Sequence, residues 1–374
     1  MTGASGVPGG PGGSGGLRGA DGAVAAGGSI DARRTGVPGV SGAGAWPGLD
    51  ALEAASVVVG DLTSTPSEVA GLPFAPLLPA RGPWGERLGR TVALLEELPA
   101  ELGPHGWKLA DRPGGDLARA RAFGREDLDA LAVAAHGYAG PLVVGGLGPV
   151  SLAASVYLAR GDRALGDAGA LRELAASLAA GLVAEVAALR RVVPGAEPTV
   201  LLHEPLLAPA VAGVLPSFSG YARLRSVPAP LAAERIATVA DAVRGAGARV
   251  LVHGGTAWAS LAALRDAHLD GVALAVAGLG EQGWERVAEA VEGGLTFWAQ
   301  LPPQASSQCA GPDVAGQADT LTRPWRSVGL PVGGLNDVVL VAGDPPAGAG
   351  PDDARAALAG LVRAAQVVAE RAAQ

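Results

Sequence analysis

Short, unbroken apolar runs alternate with helix-periodic stretches along most of this chain, and few folds satisfy that pattern. Pro141-Leu142-Val143-Val144-Gly145, Thr199-Val200-Leu201-Leu202, Arg249-Val250-Leu251-Val252, Val272-Ala273-Leu274-Ala275-Val276, Leu295-Thr296-Phe297-Trp298-Ala299 and Val338-Val339-Leu340-Val341-Ala342 are all of this kind. A strand with one wet face alternates apolar and polar residues, whereas a parallel strand buried on both faces reads as a continuous apolar run. Between the runs, Leu171, Leu174, Leu178, Leu182, Val186 and Leu189 make one helical stripe, and Ile236, Val239 and Val243 make another. A weaker strand of small residues is expected at 39–45, and a further strand at Gly106-Trp107-Lys108-Leu109-Ala110-Asp111, with Pro73 to Pro83 as a Pro-rich connector. The total of about eight strands alternating with helices predicts an α/β fold, a (β/α)8 TIM-type barrel.

A doubly wound open sheet is the alternative. Its first turn would carry a GxGxxG fingerprint, which is absent, and Gly145-Gly146-Leu147-Gly148 is not followed by the Lys-Ser/Thr of a phosphate loop. No nucleotide cofactor is therefore expected. Residues 1–37 are Gly- and Pro-rich without period (Pro8-Gly9-Gly10-Pro11-Gly12-Gly13), a composition that buries too little apolar area to offset chain entropy, so a disordered extension is expected there. Residues 38–374 are expected to form the single barrel domain.

Charge and cysteine content narrow the partners. With 28 Lys and Arg against 36 Asp and Glu and no basic block, the chain lacks the footprint of a nucleic-acid binder. Gly, Arg and Asp interrupt every apolar stretch before the roughly 18 residues that a membrane span requires, so no membrane is expected. Cys309 is the sole cysteine, which excludes an intrachain disulfide and a paired-cysteine zinc site. Together with the lack of an apparent signal peptide, this makes a cytoplasmic location the simplest expectation.

In a parallel barrel the ligand site forms where the strands end, at the C-terminal face. Two of the apolar runs end in histidine: His203, within His203-Glu204-Pro205, and His253, within His253-Gly254-Gly255. Asp344 follows the last run and Asp111 the expected second strand. Two imidazoles and a carboxylate are the ligand types of a nitrogen/oxygen metal site. The structural alternatives are a packed histidine, a solvated strand-end carboxylate for Glu204, and a helix cap or turn former for Asp344 before Pro345. His105, His136 and His268 read as surface residues. Trp46, Trp84, Trp107, Trp258 and Trp325 are either cavity walls or core fillers, and Arg81 and Arg112 either meet an anionic substrate tail or are solvated.

The order of Gly106-Trp107, Gly148-Pro149-Val150-Ser151, His203-Glu204-Pro205 and Val252-His253-Gly254-Gly255 resembles the catalytic barrel of cobalamin-independent methionine synthases, and more closely its short single-barrel bacterial relatives. The resemblance implies methyl transfer from a methylated folate-type donor to a homocysteine-like thiol held on zinc. It further implies that His203, Glu204 and Asp111 bind substrate and that His253 and Asp344 stand at metal-ligand positions. The departures are specific. Gly255 occupies the place of a family cysteine, Asp344 the place of the last one, Ala273 and Ala275 stand where an acidic residue belongs, His203 replaces an aspartate, and Ala45 replaces a serine. Thiolates suit a zinc that must accept a soft sulfur ligand, and neither is present. Two readings follow: a methyltransferase with an altered site, or a non-catalytic or ligand-binding barrel that has lost the metal.

Overall fold

The computed structural model describes residues 36–302 and 313–374. Most of the expected Gly-rich extension, and Cys309, lie outside the described residues. The strands are β1 (Gly39–Gly42), β2 (Ala70–Gly71), β3 (Ala100–Gly103), β4 (Gly106–Leu109), β5 (Ala139–Leu147), β6 (Gly195–His203), β7 (Arg249–His253), β8 (Gly271–Ala275), β9 (Thr296–Leu301) and β10 (Val339–Ala342). The helices are α1 (Ala51–Thr63), α2 (Arg87–Leu94), α3 (Gly115–Ala134), α4 (Pro149–Ser155), α5 (Ala168–Val192), α6 (Leu207–Val211), α7 (Ala229–Gly245), α8 (Ala259–Leu264), α9 (Glu281–Glu292), α10 (Val314–Ser327) and α11 (Pro351–Ala372).

Eight strands form one sheet in the order β2-β1-β10-β9-β8-β7-β6-β5, and every pairing is parallel. Its two ends meet. Val143 of β5 donates to the Pro73 carbonyl and accepts from Ala75 N–H, both at 2.8 Å, so the chain just after β2 closes the sheet into a barrel. The expected (β/α)8 architecture is thus observed, with helices outside and an apolar interior.

One strand was misplaced from sequence. The second barrel strand lies at 70–77, the segment read as a Pro-rich connector, where Leu72 and Leu77 bond to β1 and its extension on one side while Pro73 and Ala75 bond to β5 on the other. Pro73 and Pro76 remove two ladder donors, which is why the segment does not read as a central strand. The 106–111 run is instead β4, antiparallel to β3 in a hairpin outside the barrel, with Lys108 paired to Glu101 at 2.8 Å and Trp107 donating to the Pro83 carbonyl at 3.2 Å. Asp111 follows this outer hairpin and is exposed.

The helices start and pack for visible reasons. Asp50 caps α1 through Leu52 and Glu53 N–H, and Asp167 caps α5 through Gly169 and Ala170 N–H. The six-residue stripe of α5 is buried throughout, as are Ile236, Val239 and Val243 of α7. On β9, Phe297 faces outward against Trp284 of α9, with ring centroids 6.2 Å apart. Its neighbour Trp298 therefore points into the barrel, where it is 1% exposed. Within the described residues no helix is long and apolar enough to cross a membrane.

Where α5 crosses the end of α2, the helices meet through Gly181: a Cβ there would lie 1.8 Å from the Leu94 carbonyl oxygen. Gly181→Ala is expected to destabilise the fold by about 1–3 kcal/mol through overpacking. Gly60, in α1 with open space around it, is the control, and Gly60→Ala is expected to stabilise by about 0.5–1 kcal/mol through helix propensity. Urea midpoints of the two variants check both signs.

Candidate functional site

Parallel pairing places His203 of β6 and His253 of β7 in the same register. Residues in register on adjacent strands project from the same face, so the two rings stack, with centroids 5.3 Å apart and planes 23° from parallel. Each residue is 5% exposed. Gly145, on the neighbouring strand β5, borders the His203 ring: a Cβ at that position would lie in ordinary contact with its Nε2, at 3.6 Å.

Burial sets the charge state of this pair. Desolvation holds His203 well below the ordinary imidazole value, with the nearby Arg87 charge and then His253 adding to the effect, while the Ala43 carbonyl opposes it. His253 is lowered to about 4, again chiefly by burial, against a raising contribution from the Gln300 side chain. Both rings are therefore neutral near pH 7. Gly255 N–H donates to His253 Nδ1 at 3.0 Å, which leaves the ring proton on Nε2. Gly255 does this from a left-handed conformation, φ +70°, suited to glycine.

Opposite the histidines, Asp344 follows β10 and is held by Arg87 of α2. Arg87 Nη1 and Nη2 donate to its two oxygens at 2.9 and 2.8 Å, and Ala45 N–H donates at 3.3 Å. Arg87 Nη2 also donates to the Ala43 carbonyl at 3.0 Å. Burial by itself would raise the Asp344 carboxyl, but the Arg87 hydrogen bonds and charge outweigh it and hold it below the usual range. The pair ties the exits of β1 and β10 to the start of α2.

Glu204, directly after His203, is fully buried and turns away from the ligand side. Its oxygens accept from Val150 N–H at 2.9 Å and Ser151 N–H at 2.7 Å, capping α4, and Ser151 Oγ in turn accepts from Leu206 N–H at 3.0 Å. A Cβ at Gly148 would lie 2.3 Å from Glu204 Oε1, so a glycine is needed there for the carboxylate to fit. Burial pushes the Glu204 carboxyl up to about 7 against the pull of these hydrogen bonds. Glu204, expected from sequence to bind substrate, here caps α4.

Of the site residues expected from sequence, the structure brings His203, His253 and Asp344 to the barrel mouth, commits Glu204 to α4 and leaves Asp111 on the hairpin. Sequence reasoning missed Arg87, Gln300 and Ser41. Gln300 on β9 and Ser41 on β1 both pair in register with Val341 of β10 and so share one face. Four buried polar atoms in this group lack a well-aligned hydrogen-bond partner: Ser41 Oγ, Arg87 Nε, His203 Nε2 and His253 Nε2. Such atoms are rare in folded proteins and mark places where water or a ligand completes the bonding. Arg81, by contrast, is consumed by Glu126 and Asp127 at 2.8 and 3.1 Å, and Trp46, Trp107 and Trp325 are core fillers.

The donors do not fit the zinc implied by the resemblance. His253 Nδ1 accepts from Gly255, both Asp344 oxygens are taken by Arg87, and among the described residues no group of three or more His, Cys, Asp or Glu is gathered as a metal site. No cysteine is present among those residues to supply a thiolate.

No protein-family model matches the chain, and no curated protein matches it. Solved structures do, at low similarity. A B12-independent methionine synthase from Shewanella sp. W3-18-1 in complex with selenomethionine aligns at TM-score 0.42 and 13% identity, over 62% of each chain. A structure described as native KDPGal aligns at TM-score 0.35 and 13% identity over 89% of this chain and 97% of its own. D-psicose 3-epimerase in the presence of D-fructose aligns at TM-score 0.35 and 13% identity over 66% and 81%. The chain spans less than two thirds of that methionine synthase chain. Similarity at this level carries no argument about chemistry, which rests on the site itself.

Two expectations follow. For His253, neither the folded nor the unfolded state binds the proton well above pH 6.5. As pH falls from 6.5 toward 4 the unfolded chain takes it up and the folded chain does not, so stability is lost in that window. Glu204 acts with the opposite sign between 4.5 and about 7, where the folded state holds a proton the unfolded one releases, so the difference between wild type and His253→Asn isolates the histidine. That difference in urea-unfolding free energy is expected to change by on the order of 3 kcal/mol across the window. Introducing a cysteine with Gly255→Cys is expected to destabilise the fold by about 1–2 kcal/mol, because a side chain is forced into φ > 0. It is also expected to recruit no zinc in equilibrium dialysis, since Arg87 still occupies Asp344.

Proposed function

We propose that this chain is a small-molecule-binding barrel whose ligand sits at the C-terminal mouth, between His203, His253 and the Arg87–Asp344 pair. The observation that carries this reading is the set of four buried polar atoms without a well-aligned partner on β1, α2, β6 and β7. A structural core would pair such atoms or replace them with apolar ones, because each buried group without a partner costs about 1–3 kcal/mol. A ligand that bonds to them recovers this cost only in the bound state, which contributes affinity.

Within the resemblance to cobalamin-independent methionine synthases, the donor set supports the ligand-binding alternative over methyl transfer to a homocysteine-like thiol. Thiolate activation by zinc needs several ligand atoms gathered on one point, and among the described residues no group of three or more His, Cys, Asp or Glu is gathered in that way. Neutral imidazoles can pass protons or orient a bound group, but nothing in the arrangement activates a thiol. The test is metal content and ligand response together. Protein purified without a His-tag is expected to contain substoichiometric zinc by plasma mass spectrometry and to show no homocysteine-dependent rise in melting temperature. One zinc per chain, lost in His253→Ala and accompanied by a homocysteine-dependent rise, would restore the methyltransferase reading.

A further inference from the structure

The loops that leave the strand ends carry almost no free charge. After β1 the chain reads Ala43-Gly44-Ala45-Trp46-Pro47-Gly48-Leu49-Asp50, after β7 Gly254-Gly255-Thr256-Ala257-Trp258, and after β8 Val276-Ala277-Gly278-Leu279-Gly280. Most of the charged residues that do occur there are already committed. Asp50 caps α1, Asp313 accepts from Gly316 N–H in the first turn of α10, Glu204 caps α4, Arg81 is paired with Glu126 and Asp127, and Asp344 is paired with Arg87. Glu86, before α2, and Glu281, at the start of α9, are exposed carboxylates. Ionic side chains return past α4 and α6, where Arg160, Arg223 and Arg225 are exposed and Asp162 bonds to Phe218 N–H at 2.8 Å.

From this, resting on the mouth-site reading above, we infer that the group buried at the barrel mouth is uncharged: a hydroxyl- or carboxamide-bearing part of a small polar molecule, and not a carboxylate, phosphate or ammonium. The juxtaposition that carries it is two stacked neutral imidazoles facing an arginine fully matched by its own aspartate. A buried ion needs a counter-charge, since taking it out of water costs far more than a hydrogen bond returns. The Arg87 charge is cancelled by Asp344 through two direct bonds, and the imidazoles contribute none. Phosphate-binding barrels use helix N-termini or free arginines, and the first-turn N–H groups of α4 are filled by Glu204. What the site offers is hydrogen bonding without net charge: the N–H at His253 Nε2, the Nε–H of Arg87 and the Ser41 hydroxyl, with the Gln300 amide alongside. Neutral hydroxyls and amides match that set, being donor and acceptor at once.

Matched pairs that share a skeleton and differ in charge test this directly. Xylitol against xylonate, gluconamide against gluconate, and nicotinamide against nicotinate are titrated into the full chain, with melting temperature as the readout and ionic strength held constant. The expected result is that the neutral member of at least one pair raises the melting temperature by about 3 °C or more at saturation while its anionic partner does not. The shift is expected to vanish in His253→Gln and in Ser41→Ala, each checked by circular dichroism, so that a misfolded variant is not taken for a binding defect. A shift from anionic members only, abolished by the same variants, would leave the mouth site standing and overturn its uncharged character. No shift from either member of any pair would overturn the inference together with the reading beneath it.

Discussion

Two imidazoles stacked in register on adjacent strands, kept neutral by burial, are the constraint around which the mouth of this barrel is arranged. The parallel ladder between β6 and β7 leaves them no choice of side, because residues in register share a face. Once there, neither can hold a proton near pH 7 without a counter-charge, and the nearby Asp344 carboxylate is already bound to Arg87. Gly255 fixes the His253 tautomer by turning its N–H back onto Nδ1.

The same geometry explains why the residues that resemble a zinc-dependent methyltransferase do not assemble its chemistry. The place of one cysteine is taken by a glycine whose backbone conformation a side chain would strain, and the place of another by an aspartate whose lone pairs serve an ion pair. Among the described residues the mouth holds no thiolate, and Arg87 and Asp344 neutralise each other there. Glu204 fits this pattern, since its carboxylate is spent on α4.

Much of the barrel was legible in the sequence because parallel strands buried on both faces have a signature of their own. Seven of the eight barrel strands fall where continuous apolar or small-residue runs were read. The second strand was hidden because Pro73 and Pro76 break its ladder while its other backbone groups still close the barrel. Trp107-Lys108-Leu109 looked like a barrel strand because a hairpin packed on one side is also apolar there. His203, His253 and Asp344 were legible from their places at run ends. Arg87 was not, since it lies on a helix that follows the misplaced strand and a lone arginine carries no periodic signal. Gln300 escaped notice because it is polar within an apolar run, and only the register with Val341 shows which way it faces.

The protonation of the two rings is the most direct test of this account. Long-range proton–nitrogen correlation spectra of the imidazoles at pH 6 should show both His203 and His253 neutral, with His253 bare at Nδ1 and protonated at Nε2. A cationic ring at either position, or a His253 proton on Nδ1, would contradict it.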